Sequence, residues 1–325
     1  MPTSSEEYSD SENGDEWLLG FLEKAPPASL LRHQFPSKVG GRPAWLDPVD
    51  LPHEDQFRCL DCQGFMNFLL QIYAPVTDVD AAFHRTMFVF VSPQGSSISK
   101  PGGCRAFRCQ LPRENSFYSF HPPDHKSKKP PPIPEGCVVN DPWRVRENET
   151  LSSPTNPAQG LTLFPEFDIC IREESQEAGS HKKALDTAVK KPTSDGIGKG
   201  DLDFVEKMLT PEQKAFAAFE SRIARDPSQC IRYRFDAEAD PIWPNDAKVP
   251  SPEDIPNCPR CGAARQFEFQ VLPQVVHYLG ADATDPEAPD WGCIAVYSCS
   301  ESCTSDRADT GSAAYAEEFV WVQPP

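Results

Sequence analysis

The hydrophobic positions of this chain fall in short runs separated by proline, glycine and polar turns. Phe65–Tyr73 (FMNFLLQIY) and Met87–Val91 (MFVFV) are almost continuously aromatic or branched and have strand length, the pattern of strands covered on both faces. Arg105–Leu111, Leu163–Ile171 (LFPEFDICI), Phe267–Leu272, Val275–Leu279, Ile294–Ser298 and Phe319–Val322 read as further strands. A helical period is clearest after Thr210, a capping residue followed by Pro211 at the first helical position and Gln213 to complete a capping box. Phe216, Phe219 and Ile223 then recur at i, i+3 and i+7 as one buried stripe, and Asp226-Pro227 ends the helix. Ordered structure is expected to begin at Trp17 to Phe21. In the segment from Phe35 to Leu46, adjacent Gly40 and Gly41, then Pro43 and Trp45, read as a tight turn pinning a core tryptophan.

The polar stretches divide these runs. Residues 1–16 carry acids and no base, an acidic tail too polar to fold, in which Ser5, Ser9 and Ser11 sit as acid-directed kinase sites do or are simply unmodified. Pro-rich text fills 122–162, and polar, Lys-rich text fills 173–200. The expected fold is α+β and β-rich, with two related zinc-knuckle β halves and a short helix. The expected divisions are a disordered tail over 1–16, an N-terminal half over 17–121, a Pro-rich linker over 122–162, a returning strand over 163–172, a polar linker over 173–200 and a C-terminal domain over 201–325.

Composition narrows the function. With 35 prolines in 325 residues a helix bundle is excluded. A net charge of −18 is the wrong sign for a general nucleic-acid binder. No apolar run is long enough to span a membrane as a helix, and the N-terminus has neither the cationic start nor the apolar core of a signal peptide. The chain is therefore expected in the cytoplasm, a reducing compartment, where its 12 cysteines serve as metal ligands or free thiols. Lys126, Lys128 and Lys129 form either a weak nuclear-import patch or a solubilising linker.

The cysteine spacing carries the chemistry. Cys258-Pro259-Arg260-Cys261-Gly262 is a C-x2-C knuckle, and Cys299 and Cys303 form a second pair beyond the intervening hairpin. Four soft thiolates with no open position suit a structural Zn²⁺ that contributes folding energy and does no catalysis. A second knuckle, Cys59-Leu60-Asp61-Cys62, also leads straight into a hydrophobic run, which suggests an internal repeat. Where the C-terminal copy ends in Cys299 and Cys303, the N-terminal copy ends in Ser92 and Ser97. A neutral hydroxyl is a poor zinc ligand, so the first site is either plain thiols or a site rebuilt with Cys104 and Cys109. Cys137, Cys170, Cys230 and Cys293 have no partner at ligand spacing, and His277 reads as a core histidine on an apolar strand. There is no phosphate-binding glycine loop, H-E-x-x-H pair or G-x-S-x-G elbow, so no enzyme activity is expected and no catalytic residue is assigned.

Taken together, LGFLEKAPPASLL (19–31), FPSKVGGRPAWLDP (35–48), CLDCQGFMNFLLQIYAP (59–75) and HRTMFVFV (84–91) resemble the programmed cell death protein 2 family, which includes the yeast 20S rRNA accumulation protein. CRAFRCQLPRENSFYSF (104–120), LFPEFDICI (163–171), PIWP (241–244), IPNCPRCGAARQFEFQVLPQ (255–274) and the blocks DWGCIAVYSC and YAEEFVWVQ within 290–323 extend the resemblance in order. It implies a zinc-containing, β-rich, cytoplasmic and nuclear protein that acts as a dedicated chaperone. Its client would be the small-subunit ribosomal protein of the universal S5 type (S2 in eukaryotic naming), and it would support ribosome biogenesis and rRNA maturation. The family's knuckles map onto Cys59/Cys62 and Cys258/Cys261 and its later pair onto Cys299/Cys303, while its mid-domain pair falls on Ser92 and Ser97. Animal members of this branch carry a MYND-type zinc finger between PPD and LFPEF, where this chain has only Cys137 and a Pro-rich stretch. The protein is expected to be a monomer that binds neither nucleic acid nor membrane directly. A zinc-ribbon nucleic-acid binder and a signalling adaptor in growth or apoptosis are the competing readings.

Overall fold

The computed structural model describes residues 17–122, 127–137, 139–143, 155–156, 161–174, 210–239, 241–282, 284–304 and 314–325. The acidic tail with its serines, Lys126 and nearly all of the polar 173–200 stretch lie outside them.

Ten strands close into one antiparallel barrel. They are β1 (Leu18–Glu23), β2 (Lys38–Val39), β3 (Asn67–Tyr73), β4 (His84–Val91), β5 (Cys104–Leu111), β8 (Phe167–Glu173), β9 (Gln229–Asp236), β10 (Arg265–Val271), β11 (Cys293–Cys299) and β12 (Tyr315–Gln323). A separate two-stranded ribbon joins β6 (Thr155–Asn156) to β7 (Leu161–Thr162). The barrel order is β1-β8-β2-β3-β4-β5-β12-β11-β10-β9, and β9 returns to pair with β1. Closure satisfies every edge that an open sheet would leave to solvent. It also merges the two expected halves: the meander β2–β5 meets the meander β9–β12 through the β5–β12 pair, while β1 and β8 complete the ring. Arg105–Glu317 at 2.6 Å and Arg108–Glu318 at 2.7 Å bridge that seam.

The period of two explains the apolar runs. In β4, Met87, Val89 and Val91 face the barrel interior with Leu70, Ile72, Ala106, Ile169, Phe269, Ile294 and Val296. The alternate residues Phe88 and Phe90 face outward into an aromatic layer with Trp45, Phe57, Phe107, Trp143 and Tyr315. Both faces of β4 are therefore covered, as MFVFV implies. The Gly40-Gly41 turn places Trp45 in this layer. A Cβ on Gly40 would lie 2.0 Å from the Pro165 carbonyl oxygen, and its φ is +69°, so two constraints select glycine.

Four sequence expectations change. Val275–Leu279 is no strand: Pro273 fixes the first position of a 3₁₀ helix over Pro273–Tyr278, and His277 on it is exposed rather than a core residue. The Thr210 capping box forms and opens α2 (Pro211–Ile223), the longer helix beside the single turn α1 (Gly95–Ile98). Its buried stripe is Ala215, Phe219 and Ile223; centring on Phe219 leaves Phe216 on the rim and exposed. β1 and β9 were not foreseen as strands. In β9 the alternation IRYRFD has the right period, but its arginines mask the buried face. Among the described residues no helix is long and apolar enough to cross a membrane.

Candidate metal centre

The knuckle at 258–262 is a backbone turn before it is a ligand set. The Cys258 N–H donates to the Ala263 carbonyl at 2.8 Å and the Gly262 N–H to the Cys258 carbonyl at 2.9 Å, with Gly262 at φ +78°. β10 leaves this turn and β11 returns beside it, with Arg265 opposite Cys299. A second turn, in which the Ser302 N–H donates to the Cys299 carbonyl at 3.0 Å, brings Cys303 back. Cys258, Cys261, Cys299 and Cys303 thereby present four sulfurs within 4.8 Å of one another, a set that can hold a metal ion. The Cys258–Cys303 and Cys261–Cys299 sulfurs are 3.6 and 3.5 Å apart. A tetrahedron with metal–sulfur bonds of about 2.3 Å has edges of about 3.8 Å, so the pocket needs little adjustment to close on an ion.

The protonation of these groups fits the same chemistry. Burial raises the Cys258 thiol, but N–H donors from Cys261 and Arg260 and neighbouring thiols outweigh it and bring its pKa down to about 7. Burial, and then hydrogen bonding to the neighbouring cysteine side chains, push Cys299 and Cys303 up. Four thiols at this separation cannot all ionise without a cation between them. The barrel supplies an outer support: Arg108 donates to the Cys303 carbonyl at 3.0 Å and reaches its sulfur at 3.8 Å while pairing with Glu318, which also accepts from Arg265 at 2.8 Å. Beyond it, Arg85 and Glu268 form a two-bond ion pair at 2.5 Å in the barrel interior, joined by Ser298 and by the Tyr233 hydroxyl at 3.2 Å. Sequence reading missed this buried network; a glutamate inside FEFQV and an arginine opening HRTMFVFV were its only traces. A cavity of about 400 Å³ lies against Cys303, lined by Arg108, Arg260 and Ala316 among others.

The N-terminal hairpin has the same backbone frame. The Cys59 N–H donates to the Gly64 carbonyl at 2.9 Å and the Gln63 N–H to the Cys59 carbonyl at 2.9 Å, with Gln63 at φ +57°. The register slips at Leu69 in β3 and at Glu268 in β10, each ten residues past the first knuckle cysteine. Ser92 occupies the place of Cys299, its hydroxyl 3.3 Å from the Cys62 sulfur. Ser97 hydrogen-bonds to Asp61 at 2.6 Å, and Lys100 pairs with Asp61 at 2.7 Å. Against the opposing effect of burial, the Ser92 hydroxyl, the Gly64 N–H and the neighbouring Cys59 lower the Cys62 pKa.

Cys104 and Cys109 do not join this pair to make a four-ligand cluster among the described residues. They stand five residues apart on β5, so the period of two sends Cys104 into the barrel interior and Cys109 into the aromatic layer. Cys230 and Cys293 are buried, with pKa values pushed to about 12 by desolvation; Cys170 is half-buried and Cys137 exposed.

Known proteins are similar to this chain in sequence. Family models for the N-terminal and C-terminal domains of programmed cell death protein 2 match residues 16–125 and 213–324. Programmed cell death protein 2 of Mus musculus is 36% identical over 94% of this chain and 95% of its own, and that of Bos taurus 34% over 96% and 98%. The "Probable 20S rRNA accumulation protein 4" of Schizosaccharomyces pombe is 28% identical over 94% of this chain and 97% of its own. No solved structure matches the chain. With both domain models in order on one barrel, and relatives aligned over nearly the whole length, the chain belongs to the programmed cell death protein 2 family.

Proposed function

We propose that this protein is a non-enzymatic, dedicated chaperone for a basic ribosomal protein, the small-subunit protein of the universal S5 type, and that it supports small-subunit biogenesis and rRNA maturation. The observation that carries the reading is the fission-yeast relative, aligned over 94% of this chain, whose name ties it to 20S rRNA accumulation. Charge supports it: a net −18 chain meets a basic client with electrostatic attraction and competes with non-specific RNA for it. Zinc held by Cys258, Cys261, Cys299 and Cys303 is structural in this reading, because four thiolates leave no position for water or substrate. Its part is to lock the β10–β11 hairpin and the turn after it. The protein acts as a monomer in the cytoplasm and nucleus, without direct contacts to nucleic acid or membrane.

Affinity purification of the full chain followed by mass spectrometry tests the reading. A one-to-one complex with the ribosomal protein is expected, and co-expression should keep that client soluble. A client that stays insoluble on co-expression refutes the chaperone role. Recovery of signalling proteins without any ribosomal protein favours an adaptor in growth or apoptosis, and salt-sensitive RNA capture favours a nucleic-acid binder.

A further inference from the structure

The N-terminal knuckle keeps its loop without the ligands that would hold an ion. Cys59 and Cys62 lie three residues apart in one turn, closed by the Cys59 N–H on the Gly64 carbonyl and the Gln63 N–H on the Cys59 carbonyl. Ser92 and Ser97 take the positions that complete the cluster in the C-terminal hairpin, and Cys104 and Cys109 are directed elsewhere by their strand. Two thiols and two neutral hydroxyls offer a soft metal half its usual donors. What is left is a vicinal dithiol: Cys59 is fully buried, and Cys62 is half-buried in a loop whose Leu60 and Asp61 are exposed. A small reagent can reach Cys62 directly but can reach Cys59 only through it.

We propose that Cys59 and Cys62 form a metal-free, redox-responsive pair that closes to an internal disulfide by exchange with a low-molecular-weight disulfide. The Cys62 thiolate attacks one sulfur of the reagent, forming a mixed disulfide and releasing one small thiolate. Cys59 then attacks the Cys62 sulfur, its proton leaving with the second small thiol. The balance is two protein thiols and one small disulfide converted to one protein disulfide and two small thiols. Ser92 and the Gly64 N–H stand beside Cys62 and stabilise the attacking thiolate, while Cys59 is placed to resolve the adduct. This proposal does not rest on the proposed client.

The test uses the full chain as purified, equilibrated with graded ratios of oxidised to reduced glutathione, alkylated and mapped by peptide mass spectrometry. The expected result is loss of two thiols per chain in one step, with Cys59 joined to Cys62 and the four C-terminal ligands still reduced. In Cys59→Ser, Cys62 should retain an unresolved glutathione adduct; Cys62→Ser should leave Cys59 unmodified. The double variant Ser92→Cys/Ser97→Cys should bind one more metal ion and protect the pair from oxidation. The proposal is overturned if Cys59 and Cys62 stay reduced while other thiols react, if wild type carries a second metal ion that Cys59→Ser removes, or if either cysteine pairs elsewhere.

Discussion

The two knuckle hairpins share a backbone and differ in what holds it. In the C-terminal copy the residues around the ligands are solvent-facing: Asn257, Pro259, Arg260, Cys261 and Gly262 are all exposed. Little apolar surface backs the turn: Arg260 donates to the Tyr315 carbonyl at 2.7 Å, Arg265 donates to the Pro256 and Asn257 carbonyls at 2.9 and 3.1 Å, and four sulfurs able to hold an ion converge on it. In the N-terminal copy Cys59 belongs to the aromatic layer, with Cys62 packed against it. Phe57 and Phe65 contact Trp143 at 4.9 and 5.2 Å, and Asp61 is fastened by Ser97 and Lys100. A four-sulfur cluster and a hydrophobic layer are alternative ways to stabilise one small turn, and the half with the layer keeps the turn with serines at the two positions where the other half has cysteines. The bulge makes the same point in reverse: Leu69 meets an apolar interior in one half, whereas Glu268 in the other requires Arg85.

This contrast is sharpest under metal removal. Cys258→Ser should abolish metal binding and unfold the C-terminal hairpin, a large effect given that zinc-finger peptides draw about 10–16 kcal/mol from their ion. Cys59→Ser should leave the metal content of about one ion per chain unchanged. Elemental analysis and thermal melts of the two variants separate the outcomes, and equal losses would erase the distinction between the halves. Next in size is the bulge pair. Glu268→Gln leaves the Arg85 charge buried without its partner and should cost about 3–5 kcal/mol in urea unfolding. Installing the N-terminal solution as Glu268→Leu with Arg85→Met should recover most of that loss; failure to recover would assign the network a role other than charge compensation.

Acid divides the halves by a different group. Burial, and then the Arg113 charge, lower the His84 pKa from 6.5 to about 4. Its ring stacks on Phe35 at 4.4 Å, and its Nδ1 meets the Tyr73 hydroxyl at 2.9 Å. The unfolded chain takes a proton near pH 6.5 that the folded chain refuses until about pH 4, so this contribution is complete above the window and falls as pH drops through it. The loss reaches up to about 3 kcal/mol, and His84→Gln should flatten that limb of the stability–pH curve in chelated protein. The smallest effect belongs to the polar tie of the N-terminal knuckle. Ser97→Ala removes one hydrogen bond to Asp61 and should shift stability by about 1 kcal/mol. A much larger drop in its denaturation midpoint would mean that the hydroxyl, not the aromatic layer, holds the turn.

Period and spacing were enough to locate the strands of β3, β4, β5, β10, β11 and β12, the capped helix after Thr210, and the four sulfurs that meet at one point. These are local properties: alternation, capping chemistry and the reach of a short turn act within a few residues. Val275–Leu279 shows the limit, since its apolar run suits either a strand or a helical turn and the preceding proline decided it. The pairing of β5 with β12, the return of β9 to β1, the opposite facing of Cys104 and Cys109, and the meeting of Arg85 with Glu268 join residues remote in the chain or depend on which strand face turns inward. Only closure of the barrel selects among such pairings, because it alone sets which positions are desolvated together and therefore which charges and thiols must find a partner.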